Sequence, residues 1–386
     1  MGSAPRRTDH EGTTGGAPRG TLVVLSHTYV EPANRGKLHA LARTGPVTVV
    51  IPEHWREGHL GRRWESPAAD VRDGVRVEPV RWLGPYRPSL GLMRAPRTVL
   101  AGASVLQVEE EPWTPTALLA VRRRTPTARI LFTWENLDRN LPLPLRLIRD
   151  ATLRCLDGLI AGNPAAERLA RRHGFRGPAA VIPQLGIDLP APLPPRARSP
   201  ILRVAFVGRL VPEKGVHVLL RALESVSAPW SLVVVGEGPE RAALARLAAA
   251  LGLGGRVVFR GTVPHARVAE VWSDTDVLVL PSLATRRWSE QFGHVLVEAM
   301  AHGVACVGSS SGAIPAVIGD AGLVFPEGQA PALAAHLASL ASDGALLHRL
   351  GGAGRERVRD LYTDDRIAER TRAFHDEVLR ELKRRG

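Results

Sequence analysis

Leu202–Val235 reads LRVAFVGRLVPEKGVHVLLRALESVSAPWSLVVV. Its first six residues, Leu202 to Val207, and the run Ser231 to Val235 are mostly apolar without alternation. That pattern marks strands covered on both faces. Between them Val216 to Ser225 carries apolar residues at helical spacing, and glycines at 208 and 215 punctuate the turn into the helix. Strand, helix, strand at this spacing predicts two parallel strands joined by a crossover helix.

The alternation continues downstream with a helix at Glu240–Leu251, a strand at Val257–Phe259, a helix around Val268, a strand at Asp276–Leu280, a helix at Gly293–Ala301 and a strand at Ala305–Val307. Upstream it is present too. Strands are expected at Thr21–Ser26, Val47–Ile51, Val75–Val80, Ser104–Val108, Arg129–Thr133, Gly158–Ala161 and Ala179–Ile182. Helices are expected from Lys37 and at Pro115–Arg123, Leu143–Cys155 and Ala165–His173. The proline-rich stretch Asp188–Pro200 separates the two series and reads as a stiff linker. With 386 residues, two cores are the natural division. The expected organisation is a flexible tail over 1–20, an α/β domain over 21–187, the linker, a second α/β domain over 201–361, and a charged helix over 362–386 that crosses back to the first. Two open parallel sheets joined this way face each other across a cleft, where ligands bind at the carboxyl ends of the strands.

The strongest chemical signal is Glu290–Met300, EQFGHVLVEAM. Glu290 precedes a helix start at Gly293, whose free amides favour an anion, and Glu298 lies on the helix. Carboxylates so placed can accept hydrogen bonds from hydroxyl pairs. They would equally suit a dipole partner and a solvated surface charge. Val207–Gly215, VGRLVPEKG, offers Gly208 at a strand end with the cations Arg209 and Lys214, a set suited to a diphosphate. Val234–Glu240, VVGEGPE, adds a third glycine-bearing strand end. Asp274-Thr275-Asp276 has the spacing of a metal-binding D-x-D pair but reads as an ordinary strand start.

Together with VVFRGTV, DVLVLPS and SGAIPAVIGDAGLVFPEG, these segments resemble glycosyltransferase family 4, densely over Leu202–Gly328. The resemblance implies a GT-B fold of two Rossmann-like domains. It also implies a retaining transfer of sugar from a nucleoside diphosphate without a metal or other cofactor. Arg209 and Lys214 would hold the diphosphate, and Glu290 the transferred sugar. Gly208, Phe292 and Gly293 would meet sugar or phosphate, Glu298 the ribose, and Val263 would lie near the base.

The first half departs further from the family. Where many members carry a histidine, this chain has Trp134-Glu135-Asn136, which leaves Glu135 open as a sugar contact, a base or a structural group. Glu109 and Glu111, within an acidic run, could receive an amine-bearing acceptor or simply be solvated. His27 and Asn34, in the loop after the first strand, are further acceptor-side candidates. Competing readings are a nucleotide-sugar epimerase-like enzyme and a non-catalytic binder of nucleotide sugars.

The net charge is +13, but the arginines are dispersed, which argues against nucleic acid as a partner. Two cysteines, Cys155 and Cys306, form no metal or redox spacing, so a reducing compartment is expected. No segment has signal-peptide or membrane-span character. A cytoplasmic protein is expected, with room for peripheral contact at the inner membrane face. Sugar, base, acceptor and oligomeric state are not legible.

Overall fold

The computed structural model describes residues 20–56, 63–66, 70–85, 91–122, 128–192, 199–264 and 267–385. The expected tail before residue 20, the linker core at 193–198 and the arginines at 123 and 124 lie outside the described residues.

Among the described residues ten strands belong to the first half: β1 (Thr21–Leu25), β2 (Val47–Pro52), β3 (His54–Arg56), β4 (Arg63–Glu65), β5 (Asp70–Arg72), β6 (Val75–Val80), β7 (Ala103–Glu109), β8 (Ala128–Thr133), β9 (Gly158–Ala161) and β10 (Ala179–Val181). Eight of them form one sheet in the order β10-β9-β8-β7-β1-β2-β6-β5, and β3 and β4 pair separately as an antiparallel ribbon. All neighbours in the large sheet are parallel except β5, which runs antiparallel to β6. The second half contributes β11 (Leu202–Val207), β12 (Trp230–Val235), β13 (Val257–Gly261), β14 (Val277–Leu280), β15 (Ala305–Ser309) and β16 (Leu323–Phe325), all parallel, in the order β13-β12-β11-β14-β15-β16.

The continuous apolar runs are explained by burial on both faces: every residue of β2, β9, β14 and β15 is buried. Each sheet changes direction about its first strand. β1 lies between β2 and β7, and β11 between β12 and β14. At such a switch point the connecting helices go to opposite faces and leave a crevice at the carboxyl ends. In the second sheet the loops opening on that crevice are 208–215 and 281–293. In the first they are 26–35 and 110–114.

The opposite ends of the sheets are tied by matching clasps. Arg129, the second residue of β8, grips Asp157 with Nε at 2.8 Å and Nη2 at 2.9 Å, and its backbone N–H donates to the same carboxylate. Arg203, the second residue of β11, does the same to Asp276, with Nε at 3.0 Å and Nη2 at 2.6 Å. A bidentate guanidinium–carboxylate pair fixes the strand starts it spans. The second clasp also accounts for the D-x-D spacing, because Asp276 is engaged away from the cleft.

The last helix, Asp364–Arg385, returns to the first domain. Its Ile367, Ala368, Phe374 and Val378 share a core with Leu22, Val24, Leu38 and Ile130, and Arg372 donates to the Leu41 carbonyl at 2.8 Å. Cys155 and Cys306 are free thiols. Among the described residues no helix is long and apolar enough to cross a membrane.

Candidate active site

The loop after β11 reaches the loop after β14 through a residue that must be glycine. Gly215 has φ +66°, and a Cβ there would lie 2.0 Å from the Pro281 carbonyl oxygen. This close approach delivers Lys214 to the neighbouring loop. Its Nζ donates to Glu290 Oε2 at 2.6 Å, and Ser282 Oγ donates to the same oxygen at 2.9 Å. Ser282 is held in turn, its carbonyl accepting from Ser309 Oγ at 2.6 Å. The indole of Trp288 lies under the ammonium, 5.0 Å from nitrogen to ring centroid. Glu290 is buried and Lys214 nearly so, so their attraction is screened far less than that of an exposed pair. An ammonium has three donors, and an anion brought to this loop would find Lys214 already positioned.

Arg209 opens the same loop with an exposed side chain, directly after Gly208. Gly293 has φ +84° and is the N-cap of the helix His294–Ala301, so the helix begins one residue later than expected. Phe292 is buried beside it, and Glu298 is half-buried on the second turn. Val263 is half-buried beyond the end of β13. The structure therefore gathers Gly208, Arg209, Lys214, Glu290, Phe292, Gly293 and Glu298 on the two loops and one helix start flanking the β11 switch point.

Across the cleft the first domain holds the same segment by its backbone. Asn136 Nδ2 donates to the Glu290 carbonyl at 3.1 Å, and Asn163 Nδ2 to the Gln291 carbonyl at 3.0 Å. Trp134 completes the contact, with its ring 5.7 Å from Phe292 and 6.3 Å from His294 between centroids. Sequence reasoning missed Asn163: its Oδ1 caps the helix Pro164–Arg172, accepting from Ala166 N at 2.9 Å, while its amide nitrogen serves the other domain.

The acceptor-side candidates divide. His27 reaches the cleft edge with Nδ1 2.7 Å from Glu110 Oε1 and its ring stacked on Trp55 at 4.5 Å. Burial pulls its pKa down, but Glu110 and its acidic neighbours outweigh that and leave it raised. Glu109 is a correction. It points into the core, where Lys37 Nζ (2.8 Å), Gln107 Nε2 (2.6 Å) and Gln184 Nε2 (2.8 Å) all donate to it. No face of that carboxylate is left for an amine. Asn34 donates its amide to the Thr28 carbonyl at 2.9 Å and so closes its own loop. Glu135 is turned onto Arg139 Nε (2.9 Å) and Trp113 Nε1 (3.1 Å). At the departure from the family pattern, the neighbours Trp134 and Asn136 face the second domain, and Glu135 does not.

Glu111 is held by the Thr133 hydroxyl and, at 3.1 Å, by the Trp134 N–H. Burial, reinforced by the charge of Glu135, raises its pKa to about 7. The protonated form is thus favoured by the folded state, and an ordinary carboxyl in the unfolded chain ionises near 4.5. Stability is fully present below pH 4.5 and falls as pH rises toward 7, by about 3 kcal/mol at most. Glu111→Gln, which resembles the protonated acid, should flatten the dependence of Tm on pH between 5 and 8 and raise Tm at pH 8. An unchanged slope in thermal melts would refute the assignment.

Residues 198–357 match the family of glycosyl transferases group 1. The chain is 34% identical over 154 residues to N-acetyl-alpha-D-glucosaminyl L-malate synthase of Bacillus anthracis, covering 39% of each chain. It is 35% identical over 212 residues to phosphatidyl-myo-inositol mannosyltransferase of Mycobacterium leprae, covering 52% of this chain and 55% of the relative. The matched stretches thus span about half the length of these relatives or less. Among solved structures, sucrose-phosphate synthase of Thermosynechococcus elongatus superposes with a TM-score of 0.67 at 21% identity, covering 94% of this chain and all of the other. Anabaena HepE in complex with UDP gives 0.68 at 18%, covering 93% of this chain and 100% of that one. At these identities the superpositions establish a shared fold.

Proposed function

We propose that the chain is a retaining glycosyltransferase, a reading supported by the match of residues 198–357 to the group 1 glycosyl transferases and by the GT-B fold of its two facing domains. Its donor is a nucleoside diphosphate sugar bound without a metal or other cofactor, and its acceptor is a separate molecule. The observation that carries this reading is the Lys214–Glu290–Ser282 cluster at the β11 switch point, with Arg209 exposed on the same loop. A cation pair there matches a departing diphosphate, and a buried carboxylate held by two donors matches the hydroxyls of the sugar.

In the proposed reaction the acceptor oxygen bonds to the anomeric carbon on the face from which the diphosphate leaves. The carbon–oxygen bond to the diphosphate breaks, and the acceptor proton passes to the departing phosphate oxygen. Arg209, Lys214 and the amides at the start of the helix His294–Ala301 stabilise the negative charge that develops. No carboxylate nucleophile is required, which distinguishes the site from a glycosidase pair. Glu298 would take the ribose hydroxyls, and Val263 would pack near the base. The free thiols fit a cytoplasmic setting.

The test is the anomeric configuration of the product, read by NMR, with EDTA present throughout. An α-configured donor should give an α-linked product at an undiminished rate. Inversion, or loss of turnover to EDTA, would contradict the proposal.

A further inference from the structure

The helix Leu143–Arg154 packs on the first domain through few residues, of which Thr152 and Leu153 are buried. Its opposite face carries two exposed leucines among charged residues, where a surface helix is ordinarily polar throughout. Leu143 is 64% exposed and Leu147, one turn on, 59% exposed. The residues at 143, 146, 147, 150 and 154 follow the i, i+3, i+4, i+7, i+11 spacing of a single helical stripe. They are Leu143, Arg146, Leu147, Asp150 and Arg154, with both arginines exposed. Asp150 accepts from Arg149 at 2.8 Å, so the charge the stripe presents outward is positive.

We propose that this stripe seats the enzyme on an anionic lipid surface. Leucines one turn apart enter the headgroup boundary, while arginine stems lie along it and their guanidiniums meet lipid phosphates. A second copy of the chain fits the face poorly. A twofold contact through this face would bring Arg146 and Arg154 of both copies into one interface, and gathering like charges opposes association. The excess of positive charge on the whole chain, +13, acts in the same sense at longer range. Leu143 lies seven positions after Asn136, which touches the Glu290 backbone, so the seated helix is joined by a short loop to the cleft edge.

The experiment is co-sedimentation of the full chain with vesicles of phosphatidylcholine alone and of phosphatidylcholine mixed with phosphatidylglycerol. Binding is expected to the anionic vesicles, to weaken with salt, and to fall on the order of ten-fold or more in Leu143→Ser/Leu147→Ser. Each of Arg146→Glu and Arg154→Glu should lower it about five-fold or more. These four side chains are exposed, so circular dichroism should show the fold intact. Failure to bind anionic vesicles, or equal binding by the leucine variant, overturns the proposal. So does a dimer of the wild-type chain that the leucine variant dissolves, since the face would then belong to a second copy.

Discussion

Lys214→Ala is expected to lower sugar transfer by about three orders of magnitude while the protein stays folded at the assay temperature, its melting point lowered by the loss of the partner of the buried Glu290. Removing one preorganised group that faces developing charge costs roughly 10²- to 10³-fold. Here the loss is compounded, because Lys214 also satisfies Glu290, whose Oε2 it approaches to 2.6 Å. Glu290→Gln should retain part of the loop geometry through Ser282, which donates to the same oxygen, yet lose the charge that holds the lysine. Steady-state kinetics separate the two. The lysine variant should lose donor affinity as well as kcat, as befits a group that holds the diphosphate and acts on it as it leaves. Near-normal turnover in either variant would remove this cluster from the reaction.

The second large effect is on stability. Lys37 and Glu109 have side chains 2% and 0% exposed and a nitrogen–oxygen distance of 2.8 Å. Lys37→Met should destabilise the fold by about 3–5 kcal/mol, because it strands a buried carboxylate. Adding Glu109→Gln should recover much of that loss, since the amide no longer carries the charge. Exposed pairs such as Arg267–Glu270, with side chains 62% and 50% exposed, should contribute little by comparison. Urea denaturation of the single and double variants measures the difference. If Lys37→Met unfolded at the wild-type midpoint, the pair would not be a structural element of the first domain.

That pair also marks where the sequence stops being readable. The strands were legible because burial on both faces leaves an unbroken apolar run, as in β14 and β15. The donor-side loops were legible because Gly208, Arg209, Lys214, Glu290 and Gly293 sit at fixed offsets from those runs. Lys37 looks like any charge on an amphipathic helix, and its partner lies 72 positions away. Nothing local distinguishes Glu109, closed into the core, from Glu110 on His27 or Glu111 under Thr133. Asn136 and Asn163 were hidden for the same reason: their second role is made by the opposing domain. The ribbon of β3 and β4 and the edge strand β5 escaped because they are short and rich in charged residues, without the apolar run of a buried strand.

The most direct measurement is calorimetric titration of the full chain with UDP, GDP, ADP and TDP and their common sugar forms, in metal-free buffer. The account predicts one preferred nucleoside diphosphate, bound well without metal and weakened strongly by Lys214→Ala. Absence of binding across the panel, or binding that Lys214→Ala leaves unchanged, would contradict the placement of the donor at the β11 switch point.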